Sequence, residues 1–291
     1  MSSQQEAAPA EEHSEAVGRT EQVQDLVAVD RVNALAMTLD MDAAFSDGAV
    51  LPPGWHWLFF NPFVRRSELG QDGHPKRGGF LPDVGLPRRM WAGGRLRYVA
   101  PVRMGATATR HSTIEKVSAK SGRAGRLVFV TVRHVITQDG GTCIEEEQDI
   151  VYREAATPGA PPPRPEPAPD GAEWSEVVHP DSVLLFRYSA LTSNGHRIHY
   201  DLPYAQQEES YRSLVVHGPL TATLLQGFAA RCRPGSALAS FSFRGVSPLF
   251  VDRSFMQQAA ANGDGSLLLW ARGPGGELAM RAEAGFGDGQ R

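Results

Sequence analysis

The densest group of proton-transferring side chains in this chain is Thr192-Ser-Asn-Gly-His-Arg-Ile-His-Tyr-Asp201. It gathers Asn194, His196, Arg197, His199 and Asp201 in one polar stretch. Histidine gives and takes protons near pH 7, so such a loop suits general acid–base chemistry. A second group, Val215-Val-His-Gly-Pro-Leu220, opens an Ala/Leu-rich run that extends to Arg231, about the length of a buried helix. Pro219 fits a first helical turn, where its missing N–H costs nothing. The unpaired N–H groups at such a helix start carry partial positive charge and can hold an oxyanion, such as a polarised thioester oxygen.

Each residue also has a plainer reading. His217 can serve the loop through a ring hydrogen bond, and Asp201 can orient it by accepting backbone N–H groups. His196, His199, His217 and Asp201 are all capable metal ligands. Zinc loops, however, bring cysteines or a His-pair helix, and neither pattern is here, so no metal is expected. Arg88 and Arg89 fall in a Gly/Pro-rich stretch, Gly70 to Gly94, and are either anion-binding or simply exposed.

The elements around these loops read as α+β. Gln22 to Phe45 has helical spacing in two groups out of phase, Val23/Leu26/Val27 and Val32/Leu35/Leu39, which predicts a break near Asp30 or two short helices. Strands are expected over 107–117, 127–137 and 142–152, with Gly-containing turns between them. In the second half, Val183 to Tyr188 reads as a strand, followed by strands over 237–244, 266–272 and 277–284. Pro158 to Pro169 carries seven prolines in twelve residues, which predicts a stiff spacer. The expected organisation is therefore a disordered tail over 1–20, a first unit over 21–155, a linker over 156–171 and a second unit over 172–291.

Composition excludes several classes. The chain has 291 residues, 41% hydrophobic and 21% charged, with a net charge of −4. That is globular and unsuited to nucleic-acid binding through bulk charge. No apolar run reaches membrane-span length, and the acidic N-terminus lacks the features of a secretory or transit signal, so a cytoplasmic protein is expected. Cys143 and Cys232 form neither a zinc ribbon nor a disulfide framework.

HRIHYD, followed by LVVHGPL, resembles the signature of MaoC-like (R)-specific enoyl-CoA hydratases. DGHPKRGGFLPDVGLPRRMWAGG (72–94), EQDIVYR (147–153) and SALTSNGHRIHYD are similar to the double-hotdog branch of mesaconyl-C4-CoA (3-methylfumaryl-CoA) hydratases. The resemblance covers roughly residues 50–250. It implies a double hotdog, two antiparallel sheets each wrapping a long central helix. The implied activity is addition of water to an enoyl-CoA, with CoA as part of the substrate, no separate cofactor, no membrane or nucleic-acid partner, and room for a homodimer. The alternatives are a (3R)-hydroxyacyl-thioester dehydratase, a hotdog thioesterase and a non-catalytic acyl-CoA-binding protein.

Set on the family's G-D-x-N-P-x-H-x-D motif, His199 takes the catalytic histidine position and Asp201 the trailing aspartate. Asn194 stands where the catalytic aspartate is expected, and His196 and Arg197 replace the Asn-Pro pair. The resemblance thus implies His199 as base, Asn194 positioning water and Gly218 N–H holding the thioester oxygen, with the α-proton source open and His199 returning its own proton as one candidate. An amide is not an acid or base at pH 7. A neutral residue there avoids repelling a carboxylate carried on the substrate's β-carbon, and a nearby arginine would grip it. Arg197 is the first choice, with Arg88 and Arg89 as alternatives.

Overall fold

The computed structural model describes residues 13–61, 63–122, 125–155 and 164–287. Ten strands form one antiparallel sheet: β1 (Thr20–Leu26), β2 (Arg88–Tyr98), β3 (Thr107–Gly122), β4 (Gly125–Gln138), β5 (Gly141–Arg153), β6 (Trp174–Val178), β7 (Ala237–Gly245), β8 (Phe255–Ala261), β9 (Leu267–Arg272) and β10 (Leu278–Gly287). Their spatial order is β1-β3-β4-β5-β2-β7-β10-β9-β8-β6, so the two halves of the chain each contribute five strands. They join where β2 pairs with β7. Gly93 and Gly94 permit that joint. A Cβ on Gly93 would collide with the Phe243 carbonyl oxygen, and one on Gly94 would lie 3.0 Å from the Phe243 ring.

The second half wraps α4 (Gly218–Cys232), which packs on β7 to β10. Leu220, Ala222, Leu225 and Ala229 are fully buried along it. Among the described residues, the first half has one α-helix, the ten-residue α1 (Val29–Thr38), packed on α2 (Ser182–Leu191). A polar network supplements its core. Glu146, 2% exposed, accepts from Trp57 Nε1 at 2.8 Å and Gln148 Nε2 at 2.9 Å, and its other oxygen meets His56 Nε2 at 3.1 Å. Burial pushes Glu146 up, but the His56 bond and charge outweigh it and leave the carboxyl at about 2.

Several expectations are corrected. Val183–Tyr188 is not a strand but part of α2. Asp181 caps it, its Oδ1 accepting from Leu184 N at 2.7 Å, and Leu185, Tyr188 and Ser189 are buried at helical spacing. Around Asp30 the break is real, but Val23 and Leu26 of the first apolar group lie in β1, Val27 follows the strand, and a helix begins only at Val29. The Gly/Pro-rich loop ends at Pro87, since Arg88–Gly94 already belongs to β2. β6 and β8 lay outside the expected strands; Phe-Met-Gln-Gln-Ala-Ala-Ala in β8 lacks the β-branched residues that mark a strand.

Residues 1–12 lie outside the described residues, but the tail does not extend to 20. Ser14–Ala16 forms a 3-10 turn, and Ala16 is fully buried beside Val84, Leu86, Ile114 and Val128. Residues 156–163 of the proline-rich stretch are likewise outside them. Its distal part is packed: Leu278 N donates to Glu166 O at 2.8 Å, Ala168 N to Gly276 O at 2.9 Å, and Ala168 is buried against Trp270 and Leu278. Among the described residues no helix is long and apolar enough to cross a membrane.

Candidate active site

The site lies where the loop after α2 meets the start of α4. Arg197–His199 make one 3-10 turn, followed by α3 (Leu202–Gln207). Asp201 caps α3, its Oδ1 accepting from Tyr204 N at 3.1 Å. Val215 N donates to Ile198 O at 3.0 Å, and His199 Nδ1 lies 2.7 Å from Val215 O. A carbonyl only accepts, so Nδ1 carries the hydrogen and Nε2 keeps its lone pair. Burial pushes His199 down to about 3, with His196 and His74 adding to the shift against the Val215 bond. His199 is thus a neutral imidazole at pH 7 whose Nε2 can take a proton.

His217 is the N-cap of α4 and has no exposure. Its Nε2 meets Ser189 Oγ at 2.8 Å, and its ring stacks on His199 with centroids 3.6 Å apart. Burial, then the neighbouring His199, holds His217 well below its ordinary value. Gly218 follows at the helix start, and a Cβ built there meets nothing within 4 Å. The first-turn N–H groups of a helix have no partner within the helix.

Asn194 Oδ1 accepts from His196 N at 3.0 Å. That bond shapes the turn presenting His196 and leaves the Asn194 Nδ2 hydrogens for a ligand or water. A loop of the first half, Gly70–His74, docks directly onto this turn. Arg197 N donates to Asp72 O at 2.9 Å and Arg197 Nη1 to Gln71 O at 3.0 Å. Gly73, at φ +87°, and Gly195 make the approach: a Cβ on Gly73 would collide with Gly195 O, and one on Gly195 would sit 2.6 Å from Gly73 O.

The docked loop brings Asp72 and His74, which the sequence reading passed over. Asp72 Oδ2 lies 3.2 Å from His74 Nδ1, and Oδ1 accepts from His74 N at 3.0 Å. The His74 ring is 4.4 Å from that of His196, which is 5.6 Å from that of His199. Burial raises Asp72, but the opposing contributions, led by the side-chain bond to His74, hold the carboxyl far below its usual range. Burial lowers His196 to about 3. Asp72, His74 and His196 bring one nitrogen or oxygen each within 4.8 Å of one another. Both Asp72 oxygens are engaged with His74, Oδ1 at its backbone N and Oδ2 at its Nδ1.

The arginines are sorted differently from expectation. Arg197 is committed: its Nη2 and Nε meet Asp201 Oδ2 at 2.7 and 2.9 Å, and its guanidinium lies 4.2 Å from the centroid of the Tyr204 ring. Arg88 is buried, its Nε 2.9 Å from Glu209 Oε2 and its Nη2 donating to Glu209 O at 2.6 Å. In this structure both guanidinium groups are engaged with carboxylates of the chain itself, Asp201 and Glu209. Arg89, one residue on and facing the other side of β2, has no carboxylate within ion-pair distance among the described residues.

Residues 54–251 match the family of type 2 hydroxyacyl-thioester dehydratases. The chain belongs to that family. Within it, the chain is 49% identical over 275 residues to the mesaconyl-C(4)-CoA hydratase of Chloroflexus aurantiacus, covering 93% of this chain and 96% of that one. It is 30% identical to the mitochondrial type 2 hydroxyacyl-thioester dehydratase of Schizosaccharomyces pombe, covering 74% and 78%. A solved Mycobacterium tuberculosis protein with a double hotdog fold superposes with a TM-score of 0.58 at 13% identity, covering 93% of this chain and 96% of that one. The fold of this dehydratase-family chain is therefore a double hotdog, and the chain is a hydro-lyase acting on acyl thioesters.

Proposed function

We propose that this protein hydrates mesaconyl-C4-CoA to citramalyl-CoA. The observation that carries the reading is Arg89, a cation with no carboxylate within ion-pair distance among the described residues, beside a site where burial holds His196 and His199 neutral and Asn194 is uncharged. A carboxylate on the β-carbon supplies the missing counter-charge in a poorly solvated setting. The relative of 49% identity bears the matching name.

The geometry supports these roles. His199 Nε2 removes a proton from water as its oxygen bonds to the β-carbon. The π electrons move toward the thioester, whose oxygen is held by the Gly218 N–H at the start of α4. His217 and Val215 hold the His199 ring in orientation, and Asn194 holds the turn and offers Nδ2 to the water. The ligand is a free CoA thioester, whose charge confines it to an aqueous compartment; we place the protein in the cytoplasm.

The test is kcat/KM on mesaconyl-C4-CoA against crotonyl-CoA, with mass spectrometry showing the gain of one water. A clear preference for the charged substrate supports the reading. Preference for crotonyl-CoA assigns instead the (3R)-hydroxyacyl-thioester dehydration named for the Schizosaccharomyces pombe relative.

A further inference from the structure

Asn194 leaves the site without the family's carboxylic acid: His199 can take a proton from water, but its loop holds no carboxyl at that position to give one to the α-carbon. The docked loop of the first half supplies a second imidazole. Two histidines of this site are anchored through Nδ1, each with Nε2 left over: His199 on Val215 O at 2.7 Å and His74 on Asp72 Oδ2 at 3.2 Å. Their anchors differ. A carbonyl supports a neutral ring, whereas a carboxylate supports an imidazolium. The His196 ring lies between them, 4.4 Å from His74 and 5.6 Å from His199. Backbone contact at Gly73 and Gly195 fixes the spacing of the two loops.

We propose that His74, held by Asp72, is a catalytic acid that replaces the missing aspartate and protonates the α-carbon, with His196 as the path that returns the proton from His199. The inference rests on the hydration reading above. The step balances. Water loses a proton to His199 Nε2 while its oxygen bonds to the β-carbon. The C=C electron pair moves to the α-carbon and takes the proton from His74 Nε2. The proton on His199 then passes through His196 to His74, and the net change is one water added.

The groups around His74 set when it carries a proton. Burial lowers its affinity, Asp72 raises it, and Arg89 and Arg77 lower it. The empty site thus favours neutral His74. A substrate carboxylate against Arg89 cancels that repulsion and raises the protonated fraction, so the charged substrate helps to load its own acid.

The experiment compares wild type, His74→Gln and Asp72→Asn on both mesaconyl-C4-CoA and crotonyl-CoA, reading kcat and KM across pH. For wild type, kcat should fall on the alkaline side as His74 loses its proton. His74→Gln should lower kcat by roughly 10²–10³ with KM changed less than about threefold, and the alkaline limb should vanish. Asp72→Asn should move that limb to lower pH. Unchanged kcat in His74→Gln overturns the proposal. So does a loss of kcat that leaves the pH profile intact, which marks a positioning role, or activity that chelator removes and zinc restores. Wild type that hydrates only crotonyl-CoA overturns the substrate reading alone; the limb and its loss in His74→Gln are then read on crotonyl-CoA.

Discussion

His199 and His217 lie face to face, centroids 3.6 Å apart and planes 21° from parallel. One comes from the loop after α2 and the other from the cap of α4, so the stack ties the proposed base to the helix start that would hold the thioester oxygen. Each ring has one nitrogen fixed, His199 Nδ1 by Val215 O and His217 Nε2 by Ser189 Oγ. His217 Nδ1 has no partner and is fully enclosed. The orientation of His199 is therefore set by packing as well as by hydrogen bonds.

Two substitutions separate chemistry from support. His199→Ala should lower kcat by roughly 10²–10⁴, the usual scale of a general base. Ser189→Ala keeps the base but leaves a second His217 nitrogen unpaired in the interior, at a cost of about 1–3 kcal/mol. It should lower the melting temperature by several degrees and kcat far less than His199→Ala does. Equal kcat losses in the two would place the base elsewhere.

The buried histidines make stability depend on pH in a defined direction. His196 and His199 are held at about 3 and His134 at about 4, in each case first by burial. Unfolded, each takes up a proton below about 6.5, which the folded state refuses. Their contribution is present at neutral pH and is lost as pH falls below that value, by up to about 1.4 kcal/mol per pH unit for each histidine. Urea midpoints measured from pH 7.5 to 5 should drop steadily. A flat profile would mean that these rings are solvated.

Docking of the first-half loop should be sensitive to single methyl groups. Gly195→Ala places Cβ 2.6 Å from Gly73 O, and backbone cannot yield as a side-chain tip can. Gly218→Ala, by contrast, adds a methyl into open space. Gly195→Ala should lower kcat/KM at least tenfold, and hydrogen exchange should rise in residues 70–75. Unchanged exchange there would show that the two loops do not depend on each other.

What the sequence made legible was what is contiguous along the chain. His199, Asp201 and Gly218 sit in short stretches: order along the chain marks a cap and a helix start, and the resemblance to the family motif singles out His199 as the proposed base. The arginines were not legible in this way. Arg88 and Arg89 are adjacent in β2, yet alternation across the strand gives one to Glu209 and puts the other on the opposite face, where its charge acts on His74. His74 arrives from more than a hundred residues away, and only the Gly73–Gly195 contact shows why. Val183–Tyr188 failed for another reason: a short apolar run does not distinguish a buried strand from a buried helix, and the Asp181 cap was the deciding signal.

Substrate choice tests the new assignment of the arginines. Arg89→Ala removes the charge that a β-carbon carboxylate would meet, so the ratio of kcat/KM for mesaconyl-C4-CoA over crotonyl-CoA should fall about tenfold or more. Asn194→Asp should move the ratio the same way by adding repulsion. Arg197→Ala should behave differently. Its guanidinium is held by Asp201 and Gln71 O, so its loss loosens the turn and should lower activity on both substrates alike, with the ratio kept within about twofold. If Arg197→Ala shifts the ratio and Arg89→Ala does not, the carboxylate is read by the loop's own arginine, which must then leave Asp201 when the substrate binds.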